Sequence, residues 1–529
     1  MLTAVHQLLA QASRLTPDAP AVLWRDQSLS FGELQRRVEA FAGSLQALGV
    51  QRGQRVAVYL PKQFETLVTL FGASRANAVF IPVNPQLKPA QVGHILRDAE
   101  VSWLVTSAAR ARQLKAELQE CGRLEGVVLS DALVDLPCPS VLLSDMPARA
   151  PTDTLTIDAD LAALFYTSGS TGKPKGVMVS HRNLLVGAQS VASYLCNTAE
   201  DRLLAVLPLS FDYGFSQLTT AFLSGACVAL LEYLTPRDVI RAIERYAITG
   251  LAGVPPLWQQ LAAQDWPEAS RRLRYFTNSG GHLPDTTLAR LRAIQPQAQP
   301  VLMYGLTEAF RSTWLPAEWL ERKPGSMGIA IPNAEILVVR ADGSLCDVGE
   351  PGELVHRGSL VSMGYWNDPE RTAQRFRPLS TPHLPLPEIV VWSGDQVYRD
   401  ADGFLFFLGR IDEQIKCSGY RISPEEIEEV VHASQLVNEV VVIPASHPEL
   451  GQAPVALLRG DPERELELRE WLRARLPGYM QPQAWVWLDS LPRNANGKYD
   501  RTLLRQRFES VSSSSFLPAG TPSDTGISG

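Results

Sequence analysis

Between residues 56 and 82 the chain switches twice between strand and helix patterns, and this constrains the fold more than any other feature. Residues 56–60 (VAVYL) read as a buried strand, 64–76 as a helix, and 78–82 (AVFIP) as a second strand. Strands apolar on both faces, joined through a helix, pair in parallel, and their sheet must be covered on both sides. Residues 30–48 add a further helical pattern with Gly49 as its stop. Val5, Leu8, Leu9 and Leu15 mark one face of an amphipathic helix at the start. Residues 136–151, rich in Pro, read as a surface connection.

The character changes after Arg410. Ser423-Pro424-Glu425-Glu426 is a helix start, with Ser as cap, Pro at the first position and Glu three residues on. Strand-like segments at 437–443 and 454–458 and a charged amphipathic helix at 463–476 complete a compact unit. The expected architecture is α/β: a large N-terminal multi-subdomain body over 1–410, a small α/β domain over 411–508, and a disordered Ser/Gly/Pro-rich tail over 509–529.

Composition excludes several classes. Lys and Arg number 49 against 56 Asp and Glu, a net charge of −7, so no basic surface is available for nucleic acid as the main partner. Six cysteines occur without a Cys-x-x-Cys pair or a Cys/His cluster, which suits a reducing cytoplasm rather than a disulfide or zinc framework. The N-terminus lacks the charged start and unbroken apolar core of a signal peptide. No apolar run approaches the ~20 residues that span a bilayer, so no membrane insertion is expected.

The strongest chemical signal is residues 161–181, LAALFYTSGSTGKPKGVMVSH. An apolar strand runs into Thr167, Ser168, Gly169, Ser170, Thr171, Gly172, Lys173, Pro174, Lys175 and Gly176. Glycines expose backbone N–H groups, hydroxyls add donors and two lysines add charge, a combination suited to a polyphosphate. It is not a Walker loop, because Thr167 stands where that motif needs Gly.

This segment resembles the phosphate loop of the adenylate-forming ligases: acyl-CoA synthetases, nonribosomal peptide adenylation domains and luciferases. Four further segments match in family order: YGLTE (304–308), VWSGD (391–395), GRIDEQIKCSGYRISPEEIE (409–428) and LPRNANGKYDR (491–501). The resemblance implies ATP-dependent conversion of a carboxylic acid to an acyl-adenylate, then transfer to a pantetheine thiol. By it, Lys498 bridges carboxylate and α-phosphate, Thr307 touches that phosphate, and Glu308 holds Mg²⁺. Asp395 and Arg410 hold the ribose, Tyr304 belongs to the nucleotide-binding set, and Gly280 and Gly281 let the backbone approach the adenine. Asp412 is the hinge about which the small domain swings, and Gly419 borders the thiol tunnel. Asn278 and His282 carry no assigned role.

For the acid, Phe211-Asp212-Tyr213 occupies the place where fatty and aryl acid ligases often carry a His segment. It resembles the amino-acid-activating branch, in which Asp212 pairs with the substrate's α-ammonium. The bland alternative is that Asp212 caps a helix starting near Gly214. LSFDYG and MYGLTEAFRST together look like stand-alone prolyl-carrier-protein ligases and exosortase-associated acyl-CoA ligases. An amino acid such as L-proline, passed to a carrier protein in trans, is the leading expectation; a CoA ligase for a non-amino acid is the alternative. A binding module that had lost catalysis would be expected to lack Lys498, Glu308 or the loop lysines, and all are present. A luciferase-like oxygenase would share every ATP motif.

Overall fold

A computed structural model describes residues 2–153, 155–167, 174–281, 283, 285–380, 386–410, 415–422, 424–492, 501, 503–505 and 508. The expected capping Ser423 and the tail at 509–529 lie outside these.

The parallel sheet expected from the alternating segments is present. Arg55–Tyr59 sits between Val79–Pro82 and Val101–Thr106, parallel to both. Gly126–Leu129 and Ser140–Leu142 extend one edge in parallel, so the expected surface connection at 136–151 contributes a short edge strand. On the other side Leu161–Thr167 joins parallel to Val79–Pro82, and Lys175–Ser180 closes the sheet antiparallel to it. The loop between these last two strands is the glycine-rich segment.

Local signals are honoured where they are self-contained. Ser30 caps the helix Phe31–Ala47: its hydroxyl accepts from the Glu33 N–H at 3.2 Å, and the Glu33 carboxylate accepts from the Ser30 N–H at 2.8 Å. Gly49, at φ 91°, ends that segment as expected. The helix His6–Leu15 buries Leu8 and Leu9, but Leu15 is exposed, contrary to expectation. It is the last helical residue, and Thr16 at φ −141° leaves the helix before the apolar face is complete.

A second, larger sheet has six adjacent parallel strands: Pro20–Trp24, Cys227–Leu230, Arg202–Ala205, Gly250–Gly253, Tyr275–Asn278 and Gln299–Tyr304. Strand direction then reverses, because Thr313–Leu315 pairs antiparallel with Gln299–Tyr304. The helix Asp212–Ser224 lies between the two sheets. Its Phe215 ring packs 5.2 Å from Phe80 and 5.7 Å from Phe165, both on the first sheet. Burying such rings on both sides holds the first turn of this helix in place.

Residues 415–492 form a separate small layer. Val437–His447 and Gly451–Gly460 make its long antiparallel pair, flanked by the hairpin Ile415–Cys417/Tyr420–Ile422. The helices Pro424–Ala433 and Glu465–Arg475 cover it through Ile427, Val431, Leu468 and Leu472. No described helix is long and apolar enough to cross a membrane.

Candidate active site

A cavity of about 780 Å³ opens where the strand direction reverses, with the small domain forming its far wall. Crevices beyond the carboxyl ends of parallel strands are where open α/β sheets bind ligands. The body contributes Thr167, Gly280, Tyr304 and Thr307, and the small domain contributes Gly419 and Tyr420. Ser168, Gly169, Ser170, Thr171, Gly172, Lys173, Asp412 and Lys498 lie outside the described residues, as do His282 and the side chain of Arg410.

On the nucleotide side, the strand Leu161–Thr167 delivers Thr167 to the cavity, its buried hydroxyl without a hydrogen-bond partner among the described residues. Across the loop, the Lys175 ammonium reaches the Glu308 carboxylate at 3.3 Å and the Tyr365 hydroxyl at 2.8 Å. Tyr365 in turn donates to the same Glu308 oxygen at 2.7 Å, and its ring faces the ammonium at 4.0 Å. Tyr365 drew no attention in the sequence, where an aromatic in a Gly-Tyr-Trp run reads as packing.

The Tyr304 hydroxyl donates to Asp395, which is fully buried behind it. Asp395 pairs across strands with Arg410, so the residues expected at the ribose are neighbours in one ladder. Among the described residues no group of three or more His, Cys, Asp or Glu could cage a metal. A single Glu308 fits Mg²⁺ only where phosphate oxygens and water complete the shell, which is how that ion is usually held beside a nucleotide.

On the acid side, Asp212 is the first residue of the helix Asp212–Ser224, and it makes no cap hydrogen bond. The helix begins two residues before the expected Gly214. Its close seating depends on that glycine, since a Cβ there would lie 2.0 Å from the Pro208 carbonyl oxygen. Both Asp212 oxygens are engaged: one accepts from Thr307 Oγ1 at 3.0 Å, the other from Arg311 Nη1 at 2.9 Å. Phe211 stands edge-on to Tyr213, whose hydroxyl shares a hydrogen bond with Thr277. Burial pushes the Tyr213 phenol well above its ordinary pKa, so the ring is neutral.

Arg311 was not singled out from the sequence. It is aimed inward by Phe310, which adopts φ 58° and ψ −80°, a strained turn for a non-glycine residue. The turn is tightened at Gly305, where a Cβ would sit 2.6 Å from the Phe310 carbonyl oxygen. The only sequence signal was a lone charge in an otherwise uncharged Ala-Phe-Arg-Ser-Thr run.

Gly419 adopts φ 82°, and a Cβ on it would lie 2.5 Å from Val254 Cγ1. On the opposite side of the gap, a Cβ on Gly280 would lie 3.6 Å from the Gly419 Cα. Backbone thus faces backbone where the small domain meets the body. Tyr420 stacks on Tyr479 with ring centroids 3.7 Å apart, and burial raises its phenol to about 12. Gln91 donates to Glu426 at 3.0 Å across the same junction.

Comparisons with known proteins agree with this geometry. The AMP-binding enzyme family matches residues 9–366, and the AMP-binding enzyme C-terminal domain matches 426–498. A linear gramicidin synthase of Brevibacillus parabrevis is 33% identical over 94% of the chain, which spans 6% of that protein. The chain spans less than half the length of the curated relatives considered. Among solved structures, o-succinylbenzoate CoA synthetase of Bacillus subtilis, a double mutant bound with a product analogue, superposes with TM-score 0.82 at 27% identity, covering 94% of this chain and 97% of that one. The same enzyme has been seen with ATP and magnesium. Amide bond synthetase of Marinactinospora thermotolerans shares the fold, with TM-score 0.84 at 23% identity over 96% of this chain and 99% of that one.

Proposed function

The chain belongs to the AMP-binding enzyme family and is an AMP-forming ligase, and we propose that its cavity performs two linked half-reactions. A carboxylate attacks the α-phosphate of ATP and releases pyrophosphate; a pantetheine thiol then displaces AMP from the acyl-adenylate. The observation that carries this reading is the two-sided cavity, with Tyr304 and Thr307 on one wall and Gly419 and Tyr420 on the other.

The first step brings two anions together, so the site must neutralise charge as it builds. Lys498 bridges the carboxylate and the α-phosphate, a task suited to a point-charge ammonium. Residues 168–173 cradle the phosphates with Lys175, and Thr307 contacts the α-phosphate while its single hydroxyl proton stays with Asp212. Glu308 holds Mg²⁺, which when bound offsets the charge of the leaving pyrophosphate. Asp395 and Arg410 hold the ribose, and Gly280 and Gly281 border the adenine. Rotation of 411–508 about Asp412 withdraws Lys498 and brings Gly419 to the thiol path. With its scattered thiols, the protein suits the cytoplasm.

For the acid, kinship with peptide synthases supports an amino acid, with Asp212 as the ammonium's partner; L-proline and a separate carrier protein rest on the likeness of LSFDYG and MYGLTEAFRST to stand-alone prolyl-carrier-protein ligases. A second reading, a CoA ligase for a non-amino acid, is favoured by one observation: Asp212 already holds a cation, Arg311. The test is pyrophosphate release across amino and non-amino acids, with and without CoA. Lys498→Ala should lower release by ~2 decades or more while sparing AMP binding. Wild-type release from that variant would remove Lys498 from the mechanism, and acid-independent release throughout would remove the proposal.

A further inference from the structure

We propose that Arg311 is a built-in counter-ion for Asp212, and that the acid pocket therefore selects carboxylic acids lacking an α-ammonium. The inference rests on the adenylation reading above and narrows its substrate class.

The ion pair spans 2.9 Å, with side-chain exposures of 3% for Arg311 and 6% for Asp212. Arg311 Nη1 also donates to its neighbour's carbonyl, that of Phe310, at 2.7 Å, and the guanidinium lies 4.3 Å from the Tyr213 ring centre. Asp212's other oxygen is held by Thr307. The corner is thus charge-balanced and nearly sealed before any acid enters. An incoming ammonium would make it net positive, and a desolvated charge without a partner is costly. A second feature points the same way: Arg311 Nε and Nη2 are buried without hydrogen-bond partners among the described residues. The corner already holds surplus donors, and an ammonium brings three more and no acceptor. A tail of neutral carbon, or one offering an ether, carbonyl or hydroxyl oxygen, does not raise the charge. Arg311 occupies electrostatically the place that an amino-acid substrate would fill.

The test uses two stable adenylate mimics that differ by one charge, prolyl-sulfamoyladenosine and cyclopentanecarbonyl-sulfamoyladenosine, with AMP as reference, titrated calorimetrically into the full chain. Wild type should bind the carbocyclic mimic at least ~10-fold more tightly than the prolyl one. Arg311→Met keeps the bulk but removes the cation, leaving Asp212 to pair with the prolinium, so the order should invert by ~2 decades. Arg311→Met combined with Asp212→Asn removes both charges and should restore preference for the carbocycle. Equal or prolyl-favouring affinities in wild type, or a ratio unmoved by Arg311→Met, would overturn the inference while AMP binding kept the adenylation reading standing. Failure of wild type to bind AMP or either mimic would overturn that reading itself. Should Arg311→Met not fold, the wild-type ratio alone decides.

Discussion

Two ion pairs lie within one cavity region, and they are built for opposite purposes. Lys175 and Glu308 meet at 3.3 Å with the lysine side chain 15% exposed, and the contact is shared with the Tyr365 hydroxyl. Arg311 and Asp212 meet at 2.9 Å, both nearly sealed, with Thr307 and the Tyr213 ring completing the shell. The first is longer and half sealed: its carboxylate, 2% exposed, is as buried as Asp212, and only the flexible ammonium is within reach of solvent, where phosphate oxygens can attract it away. The second could be opened only by stranding a charge in a dry place. One pair waits to exchange partners; the other is permanent furniture of the pocket.

The largest effect should follow from breaking the permanent pair. Asp212→Ala leaves the Arg311 guanidinium buried without a counter-ion and should cost about 3–5 kcal/mol of folding stability. Urea unfolding measures it, and a loss under about 1 kcal/mol would show that the pair is not sealed. Glu308→Gln should sharpen the contrast. It should reduce pyrophosphate release by ~2 decades or more, as loss of a charge-stabilising contact does, yet cost less folding stability than Asp212→Ala, because the amide keeps a partner in Tyr365 and the Lys175 ammonium left behind is within reach of solvent. Equal losses in stability from the two variants would erase the distinction.

The smallest effect per step of the measured variable is in pH. His356 lies beneath the acid corner, its Nδ1 2.9 Å from the Ser312 hydroxyl, and burial lowers its pKa from 6.5 to about 3. The folded protein keeps this ring neutral, whereas the unfolded chain protonates it near 6.5. Its contribution is therefore complete above pH 6.5 and is lost as pH falls toward 3. Within that window each pH unit should cost ~1.4 kcal/mol for this one group. Unfolding followed between pH 7 and 4 should show His356→Gln with a shallower slope than wild type; identical slopes would mean the ring titrates in the fold. Buried His6 and His181 act in the same direction, so the slope is reduced rather than abolished.

How much of this could be read from the chain depends on how far each cause lies from its effect. The capped helix after Ser30 was legible because cap and partner are three residues apart. The edge strand Ser140–Leu142 was not, because it is held by parallel pairing to Gly126–Leu129 and has no periodicity of its own. At the site, the motifs named Lys175, Glu308 and Asp212 one by one. Their partnerships span 133 residues for Lys175 with Glu308 and 99 for Arg311 with Asp212. No local pattern records such a pairing, so Asp212 read as vacant when the fold supplies its partner. Arg311 escaped notice for the same reason: its inward aim is set by one strained residue, Phe310, which no propensity foretells.

The contact of Gly280 with Gly419 has a kinetic consequence. If the small domain, which forms one wall of the cavity, lifts away as proposed, ligands can exchange through that side, and main chain parts from main chain at Gly280 and Gly419. Little side-chain packing opposes parting at the two glycines themselves, so friction with the solvent and linker torsion contribute to opening alongside loss of the Gln91–Glu426 hydrogen bond and of the Val254 contact. If opening limits turnover, the steady-state rate should scale inversely with the viscosity of added sucrose, while single-turnover adenylate formation from preloaded substrates should not.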